Sequence, residues 1–145
     1  MNKAIYYKFL FIIAGVWNIG AAVVFSILSP TVESFLPFFG LEQDPIVYIW
    51  LYSFLLLVAI SGFRYFLVGL DITKNHLVVS SGIISKFSLF ILFLVFFIIG
   101  EISWPLLVVD AVDLVFASLF IEFFVNFKKL DNSSIVSAYS YKHNV

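Results

Sequence analysis

Long apolar runs separated by short polar turns set the plan of this chain. Residues 9–28, 46–70, 77–99 and 102–127 each reach the roughly 20 apolar residues that a helix needs to cross a bilayer core. The separators carry helix breakers. Ser29-Pro30 is expected to end the first run, and Asp44-Pro45 to open the second. Thr73-Lys74-Asn75-His76 reads as a tight polar turn, and Gly100-Glu101 closes the third run. Pro105 falls in the first turn of the fourth, where a missing N–H costs little. The expected fold is all-α: an integral membrane four-helix bundle spanning residues 1–127, with 128–145 as a polar, Ser/Asn-rich cytoplasmic tail.

Composition agrees with that class. Hydrophobic residues make up 63% of the 145 and charged residues 12%, against about 45–50% and about 25% in soluble domains. The absence of cysteine excludes disulfides, thiolate metal sites and cysteine nucleophiles. A net charge of −1 gives no field that would attract nucleic acid, so the expected partner is the lipid bilayer.

The basic residues fix the expected orientation. All eight lie at the N-terminal, second-turn or C-terminal side: Lys3, Lys8, Arg64, Lys74, Lys86, Lys128, Lys129 and Lys142. The first and third connections carry Glu33, Glu42, Asp44 and Glu101 and no cation. By the positive-inside rule both ends face the cytoplasm, in a multi-pass membrane protein. Trp50 and Trp104 then belong to the outer aromatic belt, and Tyr6 and Tyr7 to the inner one. The first run is too long for a signal-peptide core of about 7–15 residues, and Asn18 interrupts it. The first connection, residues 30–45, is unusually apolar, with Phe35, Leu36, Phe38, Phe39 and Leu41 between acidic ends. It reads as an interfacial connector, with a lid over an outward-facing cavity as the alternative.

Polar groups inside the runs are the candidate chemistry, because ionisable residues in a membrane are costly and turn toward the bundle interior. Counted from the ends of the runs, Asn18 and Asp113 lie about 15 Å deep, Lys86 about 12–14 Å and Arg64 about 9 Å. Asp110 is one turn from Asp113 on the same face. Small residues accompany them at helical spacing: Ala14, Gly15, Ala21 and Ala22 around Asn18, Gly82 by Lys86, Ser61 by Arg64, and Ala117 by Asp113. That pattern marks helix–helix seams. Asn18, Arg64, Lys86, Asp110 and Asp113 are therefore expected to form a buried polar layer, with Asp113 paired to Lys86, Arg64 or both. The long stems of Arg64 and Lys86 also allow snorkelling to the inner headgroups. Asp113, being short, must pair, be protonated or meet water. Glu122 lies on the opposite side of its helix and reads as interfacial.

Other chemistries find no support. His76 and His143 lie outside the runs, which argues against haem ligation in the bilayer. No His/carboxylate cluster has metal-ligand spacing, and no serine has a histidine at a plausible partner position.

Four short segments carry a resemblance: Gly15-Val16-Trp17-Asn18, Gly62-Phe63-Arg64-Tyr65, Gly82-Ile83-Ile84-Ser85-Lys86 and Val112-Asp113-Leu114-Val115-Phe116-Ala117. Together they resemble the small bacterial four-helix membrane proteins of the DoxX-like kind. The resemblance covers most of the chain and implies the four-helix architecture. It also implies a link to quinone-coupled or redox-associated membrane complexes.

The function expected from these features is that of a non-enzymatic accessory, assembly or small-molecule-binding component, acting with other membrane subunits or by self-association. One alternative is a proton-coupled or small-solute transporter or channel working as an oligomer, with Asp113 changing protonation. A second is a quinone-associated redox subunit with Lys86 and Arg64 as hydrogen-bond donors; otherwise no cofactor is expected.

Overall fold

The computed structural model describes residues 3–127, so the polar tail at 128–145 lies outside the described residues. The elements, in order, are α1 (Lys3–Thr31), α2 (Phe35–Phe38), α3 (Pro45–Leu70), α4 (His76–Ile98) and α5 (Trp104–Phe127). Every described element is helical. Among the described residues three helices, α1, α3 and α4, are long and apolar enough to cross a membrane. Their outer faces expose large apolar side chains such as Ile49, Ile84 and Ile98. Lipid solvates such a surface, and water does not. The protein is accordingly membrane-embedded.

Local chemistry explains both ends of α3 and the start of α4. The Asp44 side chain accepts a hydrogen bond from the Ile46 N–H at 2.7 Å, and Pro45 takes the first helical position of α3. After α3, Asp71 Oδ1 accepts from the Thr73 N–H at 3.1 Å, and Oδ2 meets Lys74 Nζ at 2.8 Å. These contacts, led by the hydrogen bond from Lys74, hold the Asp71 carboxyl below its ordinary value and raise Lys74 above its own. Asn75 completes the turn at φ 63°, in the left-handed region that asparagine tolerates better than most residues.

The first helix departs from the expected boundary. It starts at Lys3 and runs through Pro30 to Thr31. Proline cannot donate to the carbonyl one turn earlier, that of Ser26. The Tyr52 hydroxyl on α3 donates to that carbonyl instead, at 3.3 Å, and the Tyr48 hydroxyl donates to the Ser29 carbonyl at 3.0 Å. A neighbouring helix thus satisfies the acceptors that would otherwise end α1.

The four long helices associate as two close pairs. α1 lies along α3, and α4 along α5; α3 meets α4, and α1 meets α5, over shorter stretches. Glycine sets the α1–α3 distance. A Cβ on Gly15 would lie 2.7 Å from the Gly62 carbonyl oxygen, and one on Gly62 would lie 2.8 Å from the Gly15 carbonyl oxygen. Backbone contacts that close are available only to residues without side chains, as is common where helices cross in lipid.

The two ends of the bundle differ. Where the start of α1 meets the end of α5, an aromatic core closes the structure. Phe11 packs on Phe120 and Phe123 at centroid distances of 4.8 and 5.0 Å, and Tyr65 packs on Phe120 at 5.0 Å. All four rings are buried. At the other end the helix pairs separate. There Leu36 of α2 and Phe39 just after it are buried, and the Phe39 carbonyl accepts from the Ser103 N–H at 3.0 Å. The first connection is thereby tied to the α4–α5 connection.

Candidate functional site: a cavity floored by carboxylates

The space between the separated pairs is a cavity of about 540 Å³ lined from all four long helices. Its walls include Trp17 and Phe25 of α1, Trp50 and Phe54 of α3, and Phe93 and Phe96 of α4. Leu41 of the first connection and Glu101 of the third also line it. The polar groups deeper in are Asn18, Asp110 and Asp113. The size falls in the range of small-molecule sites, as does the pairing of apolar walls with a few convergent polar groups.

Each polar group is placed by its helix. Asn18 is 5% exposed, and its Cβ would lie 2.9 Å from a Cβ on Gly62, so the glycine seam brings it inward. Asp110 and Asp113 stand one turn apart on α5 and face the same cavity. Lys86, 3% exposed on α4, donates to Asp113 Oδ1 in a part-buried ion pair. Its ammonium also lies 5.5 Å from the ring centroid of Tyr65 and 5.7 Å from that of Phe116, within cation–π reach. The pair forms the boundary between the cavity and the aromatic core.

Asp110 is different. It is 5% exposed, and its Oδ2 is buried with no hydrogen-bond partner among the described residues. Buried polar atoms are nearly always satisfied, so an orphaned carboxylate oxygen beside a cavity calls for an explanation.

Of the five residues expected in the polar layer, four converge: Asn18, Lys86, Asp110 and Asp113. Arg64 does not. It is exposed, and it borders a separate hollow of about 160 Å³ between α3 and α4 with Ser61, Ser81 and Ser85. The inward line of α3 runs through Leu55, Gly62, Tyr65, Val68 and Gly69. Arg64 precedes Tyr65 by one residue, about 100° around the helix, and so leaves that line. Lys86 is held by Asp113 and Arg64 opens elsewhere, so the two do not converge as donors to one ligand. Tyr65 takes the inward place on α3. A Cβ on Gly82 would lie 2.5 Å from its hydroxyl, so the small residue beside Lys86 makes room for Tyr65. The seven-residue spacing of Gly62 and Gly69 is the sequence signal that marks this face.

Glu122 is exposed, and its Oε1 accepts from the Tyr7 hydroxyl at 3.1 Å. It belongs to the opposite end of the bundle from the cavity mouth. No protein-family model, curated protein or solved structure matches the chain.

Proposed function

We propose that the protein is a four-span, N-in/C-in membrane component that binds an apolar or amphipathic small molecule without transforming it. The single observation that carries this is the cavity: about 540 Å³, apolar in its walls, with Asn18 and two aspartates at its floor. Apolar walls select for a hydrophobic body, and a few fixed polar groups orient one end of it.

The fourth span is α5. Its 24 residues extend about 36 Å, enough for the hydrocarbon layer. It packs along α4, and its outer face exposes Val108, Val115 and Val125 as the other helices expose theirs. Its two deep carboxylates face the cavity and the Lys86 ammonium instead of lipid. The distribution of Lys and Arg then puts the cavity mouth outside and the aromatic core at the cytoplasmic leaflet. A multi-pass protein of the bacterial inner membrane, of the DoxX-like kind, fits this arrangement.

Native mass spectrometry of the protein released from lipid nanodiscs tests the binding role. A bound small molecule should accompany the wild type and be lost from Leu106→Trp, which adds bulk to the cavity wall. Equal retention by a folded Leu106→Trp variant counts against the cavity as the site.

One observation favours a second function. Two carboxylates lie at the floor of an open cavity, and one of them is paired to the Lys86 ammonium behind it, which is the equipment of proton-coupled transport. In that case an oligomer reconstituted in liposomes carries a pH-dependent flux that Asp113→Asn abolishes.

A further inference from the structure

The ionisable residues that line the cavity are Glu101, Asp110 and Asp113; among the described residues the lining includes no Lys, Arg or His. The nearest cation, Lys86, donates its hydrogen bond to Asp113. One positive charge therefore answers one of the two floor carboxylates, and Asp110 is left over. Its Oδ2 is buried, lacks a partner among the described residues, and belongs to a side chain that lines the cavity. In a low-dielectric site such an oxygen needs a donor.

We propose that the ligand of this cavity is a lipophilic amine, bound with its ammonium group at Asp110 and its hydrocarbon body along the aromatic walls. An ammonium supplies up to three N–H donors and one positive charge, which together neutralise the floor and satisfy Oδ2 once the Asp110 side chain turns to meet it. The faces of Trp17, Trp50, Phe54 and Phe93 tolerate a passing cation better than aliphatic walls would. An anionic amphiphile is the disfavoured class, because its headgroup would meet two carboxylates and no free cation among the described lining residues. This ligand class rests on the cavity being a binding site, as proposed for the function.

Three probes that share a tail separate the two claims: ω-bromoundecylamine, ω-bromoundecanol and ω-bromoundecanoate. Bromine quenches tryptophan on contact, and Trp17 and Trp50 line the cavity. The protein is held in phosphatidylcholine nanodiscs, with Trp104→Phe to remove the exposed tryptophan outside the lining. The amine should saturate at a concentration at least about tenfold below the alcohol, with the carboxylate weakest. Asp110→Asn should keep the alcohol and lose the preference for the amine. Equal affinity of amine and alcohol for the Asp110 protein overturns the ammonium claim and leaves the cavity as a binding site. Unchanged amine preference in a folded Asp110→Asn variant overturns it too. Saturable quenching by none of the three overturns both. The ranking on the Asp110 protein decides even where Asp110→Asn does not fold.

Discussion

Lys86 on α4, which is buried, and Asp113 on α5, which is partly exposed to the cavity, form an ion pair that joins the two helices at the base of the cavity. Breaking a buried pair from one side leaves an uncompensated charge, whereas removing both partners removes the desolvation cost as well. Asp113→Leu should therefore destabilise by up to about 3 kcal/mol, the low end for a buried pair because the aspartate is partly exposed, and the double change with Lys86→Leu should cost clearly less. Unfolding of single and double variants in bicelles measures this. Equal losses from both would show that the pair is not coupled.

The α1–α3 crossing predicts a position-dependent response to one methyl group. Gly62→Ala places a Cβ within 2.9 Å of side-chain atoms of Asn18 and Ile19 and closer still to the Gly15 carbonyl. The helices must shift, at about 1–3 kcal/mol. Gly20→Ala on the same α1 helix meets nothing within 4 Å and should be neutral or slightly stabilising. Thermal unfolding of the two variants side by side checks the contrast. A loss at Gly20 equal to that at Gly62 would remove the crossing as the cause.

The continuation of α1 through Pro30 predicts an interaction between two distant substitutions. Tyr52→Phe removes the hydroxyl that serves the Ser26 carbonyl and should cost about 0.5–1.5 kcal/mol. Pro30→Ala returns a backbone N–H able to reach the same carbonyl. In that background Tyr52→Phe should cost much less, and a double-mutant cycle reads the difference.

These particulars show how far the sequence could be read. The helices and their turns were legible because Asp44-Pro45, Thr73-Lys74-Asn75-His76 and Gly100-Glu101 act locally. The extent of α1 was not, because the partner that rescues Pro30 lies on another helix. Arg64 is ambiguous for a related reason. Helices that are apolar on every side give no hydropathic face to read, so depth and the neighbouring Ser61 point Arg64 to the polar layer while its long stem equally permits the exposed position it takes. Asn18, Lys86, Asp110 and Asp113 stand out in the sequence because a charge or amide deep in lipid has few places to go. The cavity and the orphaned Asp110 oxygen depend on how two helix pairs diverge, which no local pattern encodes.

The α3–α4 turn predicts a pH response with a definite sign. Asp71 has a folded pKa below its ordinary 3.8, chiefly through its hydrogen bond from Lys74 and then that from Thr73. Its contribution is present above 3.8 and is lost as pH falls through the folded value. Lys74 has a folded pKa above its ordinary 10.5, so its contribution is complete below 10.5 and disappears as pH rises through the folded value. Protection of the turn amides against hydrogen exchange should thus be flat across the neutral range, once corrected for intrinsic rates. The effect is small, because the pair is solvent-screened. Asp71→Asn should abolish both limbs, because the Lys74 shift also comes from Asp71, and persistence of the acid limb would assign it to another carboxylate.

The contrast between the two ends of the bundle yields the last expectation. In lipid a buried phenylalanine gains little from leaving the solvent, since the surroundings are equally apolar. What Phe120 contributes is close contact with Phe11, Tyr65 and Phe116. Phe120→Ala empties on the order of 100 Å³, which at about 24 cal/mol per Å³ amounts to about 2 kcal/mol. Phe93 is half-buried and already borders open space. Phe93→Ala enlarges an existing cavity and creates no new void in the packed core, so it should cost well under half as much. It should instead weaken or broaden ligand binding, because a wall is lost. Unfolding midpoints and probe affinities for the two variants separate the roles. Phe120→Ala should lower stability and leave the affinity ranking of the probes intact, and Phe93→Ala should do the reverse. A Phe93→Ala variant that loses as much stability as Phe120→Ala would mean that the upper half of the bundle closes on itself, leaving no room for a ligand.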